Sequence, residues 1–207
     1  MYYTLENRTD KQVGSVFPQV SCLSQQFAHG IHFDQFASFD SEILFELQPK
    51  AKLTDVLSQA AISAHGLLVN AKVKNLLSGF TIMNHKYYKC LVKDLKGNTH
   101  DYYWLHLVDN FTDRINYLKS VFYWTKSTFR KDVIKLTSYQ DYLELKKQNG
   151  ILWGIDIDQI SFDEKFNEKL DLFSCIPFDI RIYTSKKLKG ALMDISGIKM
   201  QEALHFV

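Results

Sequence analysis

The fold is decided by the stretch Ile182-Tyr183-Thr184-Ser185, together with the segment 186–196 and the residues Gly197-Ile198-Lys199-Met200 that follow it. The first part is rich in strand-forming residues, and Ser185 can accept hydrogen bonds from the free amides at the start of a helix. Three apolar residues recur at helical spacing in the second part, namely Leu188, Ala191 and Leu192. This order predicts a strand, a capped helix and a second strand within a unit at residues 178–206.

The same order of elements occurs a second time, closer to the N-terminus. Leu67-Leu68-Val69-Asn70 is followed by the segment 71–78 and then by Gly79-Phe80-Thr81-Ile82. Asn70 can cap a helix as Ser185 does, and this helix would bury Val73, Leu76 and Leu77. Two occurrences are too few for a solenoid, so we expect two similar strand-helix-strand units within one domain.

Helices are predicted at three further places. Apolar residues have helical spacing between positions 53 and 64, which predicts a helix that ends at Gly66: Leu53, Val56, Leu57, Ala60, Ala61 and Ala64. Capping-box spacing occurs twice and predicts two helix starts: Thr137 with Gln140, and Ser161 with Glu164. Gly150 would follow the end of the first of these two helices.

A β-hairpin is predicted in the middle of the chain. The β-rich segments 87–93 and 101–108 are separated by Lys96-Gly97-Asn98-Thr99. In the first segment Tyr88, Cys90 and Val92 share one face while lysines share the other; the second segment is apolar on both faces, as in a central strand. A further strand is expected at 151–155. Because strands outnumber helices, we predict a single α+β domain over residues 1–207, with a mainly antiparallel or mixed sheet and several short helices.

Composition is that of an ordinary globular protein, with 46% hydrophobic and 23% charged residues in 207 positions. The three cysteines, Cys22, Cys90 and Cys175, are isolated and odd in number, which favours buried reduced thiols. The sequence shows neither signal-peptide regions nor an apolar run of membrane-spanning length. A cytoplasmic location, with no membrane association, is therefore the expectation.

The charge pattern argues against nucleic acid as a partner. The net charge is +2, from 25 basic and 23 acidic residues that are interleaved along the chain. Phosphate binding needs lysines and arginines clustered on one face. The densest basic stretches, at 126–135 and 186–189, are interpreted as solvated faces.

Candidate catalytic and metal-binding residues are few. His29 and His32 lack a nearby third ligand, so no metal is predicted, and the sequence contains no nucleotide-binding or nucleophile motif that would imply a cofactor. Asp156 and Asp158 share one face of a strand, which suits Mg²⁺ or acid/base chemistry but equally suits the entrance to a helix. One alternative hypothesis is therefore a small enzyme or ligand-binding domain, with a pocket near these two carboxylates and the hairpin histidines His85, His100 and His106. For His106 a core position is the competing interpretation.

Aromatic residues, 14% of the chain, form two clusters of interest, Tyr102-Tyr103-Trp104 and Phe122-Tyr123-Trp124. Tyrosine and tryptophan anchor many interfaces because they bury large areas with few rotatable bonds, although they fill cores for the same reason. On strand alternation we expect one member of each cluster to face outward. The partner-binding candidates are Tyr102, Tyr103, Trp104, Tyr123 and Trp124.

The order of these segments resembles a family of bacterial immunity proteins associated with polymorphic toxin systems, long catalogued as a domain of unknown function. The resemblance rests on the following segments: Ala51-Lys52-Leu53-Thr54-Asp55-Val56-Leu57, Leu67-Leu68-Val69-Asn70, His85-Lys86-Tyr87-Tyr88, Tyr102-Tyr103-Trp104-Leu105-His106, Ser120-Val121-Phe122, Tyr183-Thr184-Ser185 and Gly197-Ile198. It covers residues 41–207, and residues 1–40 form a variable N-terminal part. The resemblance implies a cytoplasmic, non-enzymatic protein that binds and neutralises a cognate toxin, and it supplies no catalytic residues.

Net charge bears on the kind of toxin. Inhibitors of basic nucleases are often strongly acidic because opposite fields speed capture. A chain with net charge +2 does not fit that strategy unless it carries a local acidic patch, so a strongly basic nuclease is not the expected target. A third hypothesis is a regulatory or scaffolding subunit that forms a homo-oligomer.

Overall fold

The computed structural model describes residues 1–32, 34–39, 42–127, 129–148, 150 and 152–206. Within these ranges the chain forms thirteen strands and four helices, in this order: β1 (Tyr2–Asn7), β2 (Val20–Cys22), α1 (Gln25–Gly30), β3 (Ile43–Leu47), β4 (Val56–Leu57), β5 (Gly66–Asn70), α2 (Ala71–Leu77), β6 (His85–Lys93), β7 (Thr99–Leu107), β8 (Val121–Lys126), β9 (Phe129–Ile134), α3 (Tyr139–Gln148), β10 (Trp153–Gln159), β11 (Leu172–Cys175), β12 (Asp179–Ser185), α4 (Lys186–Ala191) and β13 (Ile198–Glu202). None of the described helices has both the length and the apolar character needed to cross a membrane.

The strands form three sheets. A six-stranded mixed sheet has the order β2-β3-β6-β7-β5-β4, with β3 and β6 parallel. A four-stranded antiparallel sheet has the order β11-β12-β1-β13, and a three-stranded antiparallel sheet has the order β10-β8-β9. The predicted α+β class with mixed sheets and short helices is confirmed.

The predicted hairpin is confirmed as β6 and β7, which pair antiparallel over their whole length. On β7, Tyr102 and Trp104 pack into one hydrophobic cluster while Leu105 and Leu107 pack into the other. A central strand that is buried on both faces is what the apolar pattern of this segment predicts.

The two predicted similar units are part of a larger duplication. We call β4, β5, α2, β6 and β7 the first module, and β11, β12, α4, β13 and β1 the second module. Both have four antiparallel strands in the same spatial order, β4-β5-β7-β6 and β11-β12-β1-β13, with the helix after the second strand. Tyr2-Tyr3-Thr4-Leu5 pairs with β12 as Tyr102-Tyr103-Trp104-Leu105 pairs with β5. The second module is therefore circularly permuted, because its last strand lies at the start of the sequence.

The helix caps repeat the correspondence in detail. Asn70 Oδ1 accepts from the Val73 N–H, and Ser185 Oγ accepts from the Leu188 N–H, each at 3.1 Å. Both predicted caps are confirmed. The third part of the first predicted unit is not a strand: after α2 only an isolated bridge forms, between Ile82 and Leu172.

A reciprocal clasp joins the two modules, formed by Asp55, Asp171, Thr81 and Ser196. Thr81, which follows α2, donates its N–H to Asp171 Oδ2 at 3.0 Å. Ser196, which follows α4, donates its N–H to Asp55 Oδ2 at 2.9 Å. In each module, the segment after the helix therefore donates a backbone hydrogen bond to the aspartate of the other module. Burial alone would raise the pKa of Asp55, but hydrogen bonds from Ser196 and the Asn70 cap outweigh it and hold that pKa below its ordinary value.

The helix predicted between positions 53 and 64 is wrong. This segment is extended and irregular, and it contains the short strand β4. Val56 packs into one hydrophobic cluster and Leu57 into the other, so these neighbours face opposite sides as strand residues do. Gly66 is the first residue of β5, where a Cβ atom would stand 2.1 Å from the Leu105 carbonyl oxygen. Glycine is needed at position 66 because two backbones approach closely there, and not because a helix ends there.

Of the two capping boxes, one precedes a helix. Helix α3 begins at Tyr139, and its cap is Ser138, which accepts from the Asp141 N–H at 3.2 Å, one residue beyond the predicted Thr137. Residues 161–169 form turns, so the helix predicted at Ser161 is wrong. Ser161 instead donates its N–H to Ser120 Oγ at 3.0 Å. The strand predicted at 151–155 corresponds to β10, although Ile151 lies outside the described residues.

The described residues before position 40 contribute two strands to the sheets. β1 pairs with both β12 and β13, and β2 pairs with β3. The three cysteines are all buried and unpaired, as predicted.

Candidate partner-binding surface

Two of the five aromatic candidates are core residues. Tyr102 and Trp104 are 4% and 1% exposed, and the Tyr102 hydroxyl donates to the Thr54 carbonyl at 2.6 Å. Tyr103 is partly exposed and lies under Lys74, whose Nζ is 3.9 Å from the ring centroid. Tyr123 and Trp124, both partly exposed, lie on β8. Of the three remaining candidates, Tyr123 and Trp124 are neighbours on one strand of the three-stranded sheet. This sheet is therefore the candidate surface.

The three-stranded sheet has one face towards the core. Phe122 on β8 and Ile155 and Ile157 on β10 are buried there, because alternate residues of each strand point to the same side. Tyr123 points to the opposite side, and its register partners are Asp156 on β10 and Val133 on β9. We call this opposite side the outer face of the sheet.

Strand β9 is the most exposed element of the sheet. It lies at the sheet edge, and every residue except Ile134 is exposed. Phe129 is 70% exposed and Val133 is 60% exposed. Native proteins usually protect edge strands with charges, bulges or covering loops, so exposed apolar residues on an edge are unusual. Sequence reasoning assigned this stretch to a solvated basic face and missed these two residues, although Phe129, Val133 and Ile134 were a visible strand signal.

Two tryptophans form the adjoining end of the sheet. Trp124 and Trp153 meet edge to face with their ring centroids 5.8 Å apart, and Lys126 Nζ lies 5.5 Å from the Trp153 ring centroid. Leu152 beside them is exposed, and its carbonyl accepts from the Ser127 N–H at 2.7 Å. This end of the sheet therefore offers aromatic and apolar area next to a cation.

Arg130 connects β9 to the rest of the outer face. Its guanidinium donates two hydrogen bonds of 2.9 Å to the two carboxylate oxygens of Asp158, and it lies 4.3 Å from the Tyr123 ring centroid. The Arg130 hydrogen bonds lower the pKa of Asp158. Since three side chains from three strands hold one another, this part of the surface is ordered before any partner arrives.

A buried carboxylate lies beside the outer face. Asp179 accepts from Arg181 Nε at 2.9 Å and from the Tyr183 hydroxyl at 2.6 Å. Burial would raise the pKa of Asp179, but these hydrogen bonds outweigh it and lower that pKa. Because the Tyr183 hydroxyl donates to Asp179, its oxygen is left to accept from Nε2 of His205, which fixes the His205 tautomer. Burial raises the pKa of Asp156, and the nearby charge of Asp179 raises it further.

A cavity of about 420 Å³ opens near this network, and both Asp158 and His205 line it. The hairpin histidines of the alternative hypothesis lie elsewhere. His100 pairs with Asp94 and lines a different cavity, His85 contacts the Met83 carbonyl, and His106 is fully buried. The structure thus places no hairpin histidine at the cavity that Asp158 lines, so the pocket required by the enzyme or ligand-binding hypothesis does not form among these residues.

Metal-binding potential can be judged for the described part of the chain. It holds no group of three or more histidine, cysteine, aspartate or glutamate side chains placed to bind a metal ion. Burial raises the pKa of Cys90 to about 12 and raises that of Cys175 well above its ordinary value, so these thiols are unreactive at neutral pH.

Fold and surface together define an α+β protein of two similar modules, the second circularly permuted, that presents an exposed edge strand beside an ordered surface of Tyr123 and Arg130. No protein-family model and no curated protein matches this chain.

Proposed function

We propose that this protein is a non-enzymatic, immunity-type binding protein that neutralises a cognate bacterial toxin by direct contact. Tyr123, Trp124 and strand β9 would form the centre of the contact. The observation that carries the proposal is the exposed edge strand, with Phe129 and Val133 open to solvent beside Arg130. The resemblance of residues 41–207 to immunity proteins supplies the class of partner.

The residue types on this surface are those that contribute most to protein interfaces. Tryptophan, tyrosine and arginine are enriched among residues whose truncation weakens binding strongly. Tyr123 and Arg130 bring two of these types onto the outer face, and Trp124 lies on the opposite face of β8 because successive strand residues alternate. Since Asp158 already holds Arg130 over the Tyr123 ring, less side-chain freedom is lost on binding. A stable complex needs roughly 800 Å² on each partner, so neighbouring loops must contribute as well.

Local charge refines the expected target. Along the β9 edge Lys131 and Lys135 stand against Asp132, while Asp158 neutralises Arg130. This edge therefore carries a small net positive charge, which supports a toxin with an acidic segment rather than a strongly basic nuclease. Neutralisation inside the producing cell or its siblings would place the protein in the cytoplasm.

The proposal is tested by co-expression with the toxin encoded by the neighbouring gene. We expect restored growth and a complex that copurifies. Phe129→Asp and Val133→Asp should abolish the rescue while leaving the thermal unfolding midpoint within about 2 °C, because exposed positions contribute little to stability. Leu95→Asp is the matched control, since Leu95 is 59% exposed in the β6–β7 turn of another sheet. Toxicity that the wild-type protein leaves unchanged would refute the function.

A further inference from the structure

Strand β9 has a free backbone edge. It pairs with β8 on one side, and within the described residues no other segment hydrogen-bonds to its backbone. Resting on the proposed function, we infer that this edge receives an extended acidic segment of the toxin as an added β-strand. The main chain of that segment would complete the ladder, and its side chains would give specificity.

The geometry of β9 suits an added strand. Six residues extend over about 20 Å, which is the length of a typical strand. Val133 lies on the outer face, opposite Tyr123, while Phe129 lies opposite Lys126 on the other face of the sheet. An added strand alternates its side chains between the two faces, so one set would pack on Val133 and the other on Phe129.

Charge selects the occupant. Asp158 already neutralises Arg130, which leaves Lys131 and Lys135 against Asp132 along the edge, a small net positive charge. A strand added to β9 would lie about 4.8 Å away, close enough for its carboxylates to face these lysines. A second copy of this chain paired through β9 would instead bring together two edges of the same net charge, with a lysine at position 135 of each copy. Opposite-charge cross-strand pairs stabilise a sheet and like-charge pairs destabilise it, so the toxin segment is favoured over self-pairing.

The experiment uses full-length protein and a catalytically inactive variant of the neighbouring toxin. Amide hydrogen exchange is measured in the free protein and in the complex, by a method that resolves single residues. We expect the outward-facing amides of β9 to exchange at least tenfold more slowly in the complex. The double variant Lys131→Glu, Lys135→Glu should weaken the complex by tenfold or more, with steeper loss at low salt. Lys96→Glu in the β6–β7 turn is the control and should bind as the wild type does.

Each outcome is decisive. A complex whose β9 amides exchange at the free rate overturns the strand addition and leaves the proposed function standing. If the β9 amides exchange more slowly in the complex but the double variant binds as tightly as the wild type, the added segment is not acidic. If the protein without toxin shows a mass that rises with concentration in light scattering, and its β9 amides then exchange more slowly, the edge pairs with a second copy of this chain and the inference is wrong. Absence of any complex refutes the proposed function itself.

Discussion

Replacement of either clasp aspartate by alanine should destabilise the protein to a similar degree. Asp55 Oδ atoms accept from Asn70 Nδ2 at 2.9 Å, from the Ser196 N–H at 2.9 Å and from Ser196 Oγ at 2.8 Å. Asp171 accepts from Ser185 Oγ at 2.6 Å and from the Thr81 N–H at 3.0 Å. Both variants break the bond to a helix cap and the bond to the opposite module at once.

The magnitude follows from the number and exposure of these bonds. A hydrogen bond to a charged acceptor contributes about 1.5–3 kcal/mol when buried, and water replaces part of that at these partly exposed carboxylates. About 1 kcal/mol per bond gives a loss of about 2–3 kcal/mol for Asp55→Ala, and Asp171→Ala should match it because its fewer bonds are more deeply buried. In a protein of this size such a loss lowers the unfolding midpoint by about 5–10 °C.

Urea unfolding at pH 7, followed by circular dichroism, measures these losses. Asp101→Ala is the control, since Asp101 pairs with Lys89 at 3.3 Å on the surface and such pairs contribute less than about 1 kcal/mol. The pKa of Asp55 is lowered in the folded protein, so its contribution is present above the unfolded-state pKa and disappears as pH falls through the folded value. Losses below about 0.5 kcal/mol for both variants, or a large loss for one alone, would refute the equivalence of the two clasps.

Three further predictions concern backbone approach, acid sensitivity and chain order. Gly66→Ala should cost more than about 3 kcal/mol because its Cβ would meet a β7 carbonyl oxygen, whereas Gly190→Ala in α4, with open space around it, should be neutral or stabilising in the same urea assay. Burial lowers the pKa of His106 to about 4 in the folded protein, whereas the unfolded chain has the ordinary value of about 6.5. The free energy of unfolding is therefore highest above about pH 6.5 and falls as pH drops from there towards 4, because the unfolded chain binds the proton first. In His106→Phe the urea midpoint should change less between pH 7 and 5. A circular permutant whose old termini are linked and whose new termini lie between Lys96 and Gly97 should keep the wild-type circular dichroism spectrum and unfold cooperatively, and a disordered product would contradict the permuted module.

Local signals in the sequence predicted local structure well. The hairpin of β6 and β7 and the caps Asn70 and Ser185 were predictable, because strand alternation and capping depend on residues only a few positions apart. The segment 53–64 has apolar residues at helical spacing without forming a helix, because these residues pack into two different hydrophobic clusters. Its strand partner is β5, and no local pattern reports that pairing.

Long-range features were less accessible. The clasp bonds join residues 90 and 141 positions apart, which no motif spacing describes. One signal of the duplication was present, since Tyr2-Tyr3-Thr4-Leu5 repeats Tyr102-Tyr103-Trp104-Leu105 at three of four positions. At the candidate surface, Tyr123 and Trp124 were predicted from aromatic clustering. Arg130, paired with Asp158 across 28 positions, required the register of two strands.

The permuted second module sets the order in which the chain can fold during synthesis. Of the described strands, β1 is synthesised before all others, yet its partners β12 and β13 are synthesised after all others. The first module, in contrast, is contiguous from β4 to β7 and can close while the remaining chain is still being translated. Strand β1 must therefore stay unpaired until β12 and β13 have been synthesised, and the second module can form only after the first module is already complete.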